Sequence, residues 1–279
     1  MQLKTIQKNI KNGYQRIMNN IVLYCKSYRV DVHRVRNLYT SMLKHNVNNI
    51  PFYVSVPERD VAIFRDQLGE DCNIITDESI YKSIDGWVGQ QVVKSQFWKL
   101  GLCKNYVCLD SDTYFIRDFY ESDFIYEGEI PYTVCHEDKE LMEWSLKANL
   151  GFDIQKSFID DRDKVMKLFN RQGTYYDFGP SPTIWNCKTW KSLFENYIEP
   201  NKLTFEKLIE FSPSEFSWYG EWLLTSKTIP IYPKQPLCKV FHYKKQYDES
   251  KQLGYTESDF SKNYLGIIMQ SNWGADIRY

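Results

Sequence analysis

The 279-residue chain has only 4 His, no Cys-x-x-Cys pair among its 7 cysteines and not one acidic residue before Asp31. No apolar run approaches the ~20 residues that span a bilayer, so a membrane-spanning segment is excluded at the level of sequence. The scattered thiols (Cys25, Cys72, Cys103, Cys108, Cys135, Cys187, Cys238), with no signal-peptide pattern ahead of them, read as reduced side chains of a cytoplasmic protein. No Gly-x-Gly-x-x-Gly follows the first apolar run, and no Gly-x4-Gly-Lys-Ser/Thr occurs anywhere. Dinucleotide and P-loop chemistry therefore lose their fingerprints. With 35 basic against 36 acidic residues the net charge is -1, too little positive charge for a phosphate backbone, so nucleic acid is excluded as a partner.

Hydrophobic residues make up 43% of the chain, ample for the core of one large α/β domain or two small ones. Aromatics reach 16%, with 21 Tyr and 8 Trp. Most of these rings belong in a core, and the excess suits surfaces that stack on sugars or bases.

Residues 1 to 19 set Leu3, Ile6, Ile10, Tyr14 and Ile17 at helical spacing between Lys4, Lys8, Lys11 and Arg16. The stripe predicts a basic amphipathic helix, which either docks on the protein's own core or lies on an anionic membrane surface. Strand-like runs at Asn20 to Cys25, Pro51 to Val56 and Cys72 to Thr76 alternate with helical patterns through Val32, Val35, Leu38, Tyr39 and Met42 and from Arg59 to Leu68. Such a βαβαβ half predicts a parallel, doubly wound sheet with ligands at its carboxyl edge. A helix over Gly86 to Leu100, closed by Gly101, brings Gln91 and Lys94 toward that edge.

That helix leads into Tyr106-Val107-Cys108-Leu109, an apolar strand ending in Asp110-Ser111-Asp112. In extended chain, residues two apart point the same way, so both carboxylates are expected to face one divalent ion or one ligand. Further on, Cys135-His136-Glu137-Asp138 reads as solvated loop, because four adjacent residues cannot all face one ion. Gly173 to Pro182 reads as a pocket-shaping loop before a strand at Thr183 to Cys187. Ser212-Pro213-Ser214-Glu215 has the form of a capping box opening a helix through Leu224, with Glu221 near the helix's opposite side. Late in the chain, Val240 to Lys245 sets His242 and two lysines after a strand-like run.

The ordered pieces SYRVD at 27 to 31, VPERD at 56 to 60, QQVVK at 90 to 94, LDSD at 109 to 112, SEFSWYG at 214 to 220 and FHYK at 241 to 244 carry a resemblance. Over about residues 20 to 270 the chain resembles GT-A glycosyltransferases, and more narrowly an uncharacterised bacterial family of glycosyltransferase-like proteins found with polysaccharide genes. The resemblance implies a single GT-A domain, a Rossmann-like nucleotide-diphospho-sugar transferase with a mostly parallel central sheet flanked by helices. Within residues 20 to 279, residues 20 to 118 would form the nucleotide-sugar half and 119 to 279 the acceptor half.

The same resemblance implies transfer of a sugar from a nucleotide-diphosphate sugar, a UDP-sugar foremost, to a hydroxyl of a glycan or lipid-linked acceptor in bacterial surface polysaccharide synthesis. In it Asp110 and Ser111 lie near the ribose and donor sugar, while Asp110, Asp112 and His242 hold the divalent cation. A mixed oxygen and imidazole set leans to manganese over magnesium. Tyr28 and Asp31 fall where base and ribose are held, Lys94 where the donor is held, and Lys244 where the diphosphate is clamped; Gln91 is a donor-binding candidate from its place on the helix. Glu215 is the expected general base from its place in the SEF piece, ahead of Glu221. The chain is expected to act in the cytoplasm, with residues 1 to 18 able to reach the inner membrane face.

Two rivals remain open. An aspartyl-nucleophile phosphatase also starts from a strand ending in Asp-x-Asp, but Thr113 and Tyr114 stand in the wrong order for it and Asp110 follows three earlier strands. A non-catalytic carbohydrate- or nucleotide-binding protein would use the aromatic content equally well.

Overall fold

The computed structural model describes residues 18–82, 86–180 and 182–279. The amphipathic helix expected over 1 to 19 falls on residues 1–17, outside the described residues, and Asn19 already belongs to the first strand. Five strands make the central sheet: β1 (Asn19–Lys26), β2 (Phe52–Val56), β3 (Asn73–Thr76), β4 (Cys103–Leu109) and β6 (Thr183–Asn186), in the order β3-β2-β1-β4-β6. The first four run parallel and β6 closes the edge antiparallel to β4. A strand buried on both faces reads as a continuous apolar run, which is how Ile21-Val22-Leu23-Tyr24-Cys25 reads. The protein is thus an α/β fold with a mostly parallel central sheet flanked by helices.

The pleat sorts side chains into two layers. Ile21, Leu23, Cys25, Val107 and Leu109 pack with Val35, Leu38 and Met42 of α1 (Val32–His45) and Phe64 and Leu68 of α2 (Val61–Leu68). Val22, Tyr24, Tyr106 and Cys108 pack on the other face with Val92 and Val93 of α3 (Trp87–Gln96), Phe97, and the indoles of Trp185, Trp190 and Trp218. At ~25 cal/mol per Å² of apolar surface removed from water, these two aromatic-rich layers carry the largest favourable term in folding. Helix α3 tightens into a 3-10 turn at Phe97–Leu100 and stops at Gly101, left-handed at φ 61°, the end expected of such a cap.

A smaller sheet stands beside the carboxyl edge: β7 (Cys238–Phe241), β8 (Gly266–Met269) and β5 (Thr113–Phe115), in the order β7-β8-β5. Helices α4 (Lys139–Ala148), α5 (Ile154–Leu168), α6 (Cys187–Leu193), α7 (Phe205–Phe211), α8 (Glu215–Ser226) and α9 (Lys244–Gln252) fill the second half. Among the described residues no helix is long and apolar enough to cross a membrane.

Two local expectations are corrected. Cys135 to Asp138 is no solvated loop: Cys135 is buried, and His136 exchanges backbone hydrogen bonds with Asp177, 3.1 Å from its N–H and 2.7 Å to its carbonyl. The cap of α8 is Ser214 rather than Ser212, with its Oγ accepting from the Ser217 N–H at 3.2 Å. Ser212 instead closes α7, its N–H donating to the Leu208 carbonyl at 3.0 Å. Glu215 is therefore the first residue of α8, and its carboxylate is released from any capping duty.

Candidate functional site

Strand parity decides where the first acid points. Tyr106 and Cys108 face α3, and Asp110, two residues on, stays on that side. There the Lys94 ammonium donates to Asp110 Oδ1 at 2.5 Å and to Glu215 Oε1 at 3.0 Å. Lys94 and Glu215 are each 3% exposed and Asp110 is 24% exposed at the side chain, so Asp110 is the most open of the three to the crevice. Gln91, one turn before Lys94, accepts the Glu215 N–H at 3.2 Å, and the Tyr106 hydroxyl donates to the Lys94 carbonyl at 3.1 Å. The Phe216 ring covers the ammonium, its centroid 5.3 Å away.

Burial works against the Lys94 charge, but Asp110 and Glu215 outweigh it and the pKa rises, so Lys94 stays an ammonium. Glu215 is pushed up by burial, with Lys94 opposing. In so dry a setting a lone charge is far costlier than a paired one. Lys94 thus holds the two acids in place with two of its three ammonium donors.

The second acid goes elsewhere. The Thr113 N–H donates to the Asp110 carbonyl at 3.1 Å, so Ser111 and Asp112 form a tight turn and the extended-chain argument for a shared direction fails. Asp112 turns to the end of β8, where the Ser271 N–H donates to its Oδ2 at 3.0 Å and the Met269 N–H to its carbonyl at 3.0 Å. Its Oδ1 is buried without a partner among the described residues. Burial, then the charge of Asp110, pushes the carboxyl up to about 7. A buried carboxylate oxygen facing no donor, beside a second acid, is a chemical fit for a cation.

The loop after β1 joins the same edge. Asp31 hydrogen-bonds the Ser111 side chain; burial raises its pKa, while Arg34 and Ser111 oppose the rise. Tyr28 is 42% exposed and lines a cavity of about 450 Å³ with Lys26, Pro57, Arg59, Asp77 and Trp87. That volume is the size of a small-ligand pocket, and it lies beyond the carboxyl ends of β1, β2 and β3. The structure therefore brings together Tyr28, Asp31, Gln91, Lys94, Asp110, Ser111, Asp112 and Glu215 around the carboxyl edge of the sheet.

Three expected residues fall outside this group. His242 directly follows β7, and β8 lies between β7 and β5, the strand that follows Asp112. Its ring stands among Asp177, Lys239, Glu140 and His136, and burial pushes it down to about 4. Among the described residues no three or more His, Cys, Asp or Glu side chains are placed to hold a metal ion, so Asp110, Asp112 and His242 form no assembled ligand set. Lys244 opens α9 and donates to both carboxylate oxygens of Asp248 at 2.7 Å, an exposed i,i+4 pair. Glu221 is 0% exposed and the Arg171 guanidinium takes both of its carboxylate oxygens, whereas Lys94 takes only Oε1 of Glu215.

Sequence reasoning missed Lys26 and Asp77, an ion pair of 2.8 Å joining the ends of β1 and β3. It also missed Asp177 and Arg162, paired at 2.7 Å in the second half. The signal for Lys26 and Asp77 was a charge immediately after each apolar run. Nothing local marks Arg162, one charged residue among many on α5.

The family of unknown function (DUF6492) matches residues 17–261. The chain belongs to this family. No functionally curated protein matches it. Among solved structures, the DUF6492 chain is similar to the apo structure of WbbM, a bifunctional glycosyltransferase, with a TM-score of 0.54 and 10% identity over 93% of this chain and 47% of that one. The DUF6492 chain thus spans about half the length of that protein, and the likeness is one of fold.

Proposed function

We propose that the protein is a glycosyltransferase that moves a sugar from a nucleotide-diphosphate sugar, a UDP-sugar foremost, to a hydroxyl of a glycan or lipid-linked acceptor. The observation that carries this reading is the pair of acids at the carboxyl end of β4, one fixed by Lys94 and the other offering a buried, unpartnered oxygen. Its setting in a glycosyltransferase-like fold supports it. The half over 20 to 118 would take the donor, with base and ribose in the cavity beside Tyr28 and Asp31. The half over 119 to 279 would take the acceptor, in the cytoplasm and in the service of bacterial surface polysaccharide synthesis.

In this reading Asp112, with Asp110, would hold a divalent cation, manganese before magnesium. Two carboxylates would leave the rest of such a shell to water and to oxygens of the substrate phosphates, as is usual for hard cations in phosphoryl sites. When bound, the cation supplies charge neutralisation for the departing diphosphate. The chain's own residues do the rest. Glu215 takes the proton of the acceptor hydroxyl, whose oxygen bonds to the anomeric carbon as the bond from that carbon to the diphosphate oxygen breaks. Lys94 fixes Glu215 and Asp110 at hydrogen-bond distance, and Gln91 fixes the first turn of α8.

Turnover of a UDP-sugar panel with manganese tests this. Glu215→Gln keeps an acceptor for Lys94 but cannot take a proton, so the expected loss is at least about a hundredfold, the order of a general-base contribution, with melting near the parent. Full activity of Glu215→Gln would remove Glu215 from the chemistry. A second reading, a sugar-nucleotide-binding protein without turnover, is favoured by the 3% exposure of Glu215. Binding of UDP-sugar with no transfer or hydrolysis by the parent would select it.

A further inference from the structure

A polar hollow in the second half lies away from the sheet edge. His136, Asp138, Asp177, His242, Asn263 and Tyr264 line a cavity of about 520 Å³. A second opening shares Asp138, Asp177 and His242 and runs on to Ser214, Phe216 and Gln270. Those last three adjoin Glu215 and Ser271, so the hollow leads from His242 toward the two acids of the candidate site.

Its charges are spoken for. The Arg162 guanidinium donates to Asp177 Oδ1 at 2.7 Å, to the Tyr176 carbonyl at 2.7 Å and to the Phe158 carbonyl at 3.2 Å. Lys239 pairs with Glu140, and Lys139 with Glu137 at 3.4 Å. Each cation among the described lining residues already faces a carboxylate, and Asp138 and Asp177 add carboxyl oxygens of their own. A phosphate or carboxylate entering here would have to displace those carboxylates from their cations in a poorly solvated place.

The neutral hydrogen-bonding groups, by contrast, are free. The His242 ring nitrogens and the Asn263 amide have no hydrogen-bond partner among the described residues. Gln246 uses only its oxygen, accepting from the N–H groups of His242 at 2.9 Å and Tyr243 at 3.2 Å, which leaves its amide donors. A neutral imidazole offers one donor and one acceptor, an amide both, and a carboxylate accepts from two hydroxyls at once. Tyr264 lines the cavity, and Phe152 and Tyr243 line the second opening, with Tyr243 stacked on Trp144 at 5.7 Å, giving apolar faces for a ring.

We propose that this cavity holds the acceptor, and that the unit entering it is a neutral hydroxyl-bearing sugar rather than an acidic or phosphorylated one. The assignment of an acceptor rests on the glycosyltransferase reading; the ligand class rests on the lining alone. The test is saturation-transfer NMR on the full chain without nucleotide, using methyl glycosides of neutral hexoses, the matching uronates and hexose phosphates. Neutral glycosides are expected to bind at least about tenfold more tightly than either acidic set, and His242→Ala and Asn263→Ala are each expected to weaken them by about tenfold, the scale of one lost hydrogen bond. UDP-sugar affinity is expected to stay at the parental value in both variants. Equal or tighter binding of uronates or phosphates, no binding by any glycoside, or neutral binding untouched by either variant overturns the proposal. Glycoside binding as described but no UDP-sugar binding supports the ligand class and overturns the transferase reading instead.

Discussion

Lys94 is an ion held by two acids in a place that water does not reach. Removing one partner of a buried pair strands the others, at about 3–5 kcal/mol. Lys94→Met is therefore expected to lose about that much in denaturant unfolding, and Glu215→Gln added to it is expected to restore part of the loss by removing one stranded charge. Equal stability of Lys94→Met and parent would contradict the pairing. Asp138 gives a pH dependence with a definite sign. Burial, then the charge of Asp177, pushes its carboxyl up to about 7, so the folded chain holds that proton more tightly than the unfolded one. The stability it contributes is then present below the ordinary carboxylate range and lost as pH rises to about 7. Asp138→Asn suits the left-handed φ of 51° and cannot ionise. It is expected to melt above the parent at a pH above that range, with the gap closing as the solution is acidified through it; a gap constant with pH would contradict the assignment. The two acids after β4 were legible as a pair at the sheet's carboxyl edge, but their division was not. Lys94 finds Glu215 across 121 residues of sequence, and no periodicity carries such a pairing.

At the scale of elements, the start of α8 shows how a motif can fit two registers. Ser212-Pro-Ser-Glu215 has the form of a capping box, yet α7 runs to Phe211 and takes Ser212 to close its own last turn, so Ser214 caps α8. Ser214→Ala is accordingly expected to cost about 0.5–2 kcal/mol, more than Ser212→Ala; the reverse order in urea melts would return the cap to Ser212. Helix α8 also carries Gly220, where an added Cβ would run into the Phe178 ring. Gly220→Ala should gain helix propensity yet lose overall, because overpacking a filled site costs about 1–3 kcal/mol against about 1 for the propensity. The first half was readable because its short apolar runs alternate with amphipathic helices. Strands β5, β7 and β8, no shorter than β3 apart from β5, stand outside any such alternation, so nothing in the sequence pairs them.

Over the whole molecule, alternation of strand and helix foretold a mostly parallel sheet, because βαβ connections leave few other arrangements. It did not foretell the smaller sheet, whose three strands come from residues 113 to 269. That sheet sets His242 apart from Asp112, since β8 runs between them, and sends Lys244 to the protein surface beside Asp248. The central claim is that the unpartnered oxygen of Asp112 awaits a cation that arrives with a nucleotide sugar. Its most direct test is the melting of the full chain with UDP-sugars, with and without manganese, in the parent and in Asp112→Asn. A ligand at a hundred times its Kd stabilises by about 2.7 kcal/mol, so a clear rise is expected for the parent with sugar nucleotide and manganese together. It should be absent without manganese and absent in Asp112→Asn. An equal rise in Asp112→Asn, or no rise for any UDP-sugar, would contradict the account.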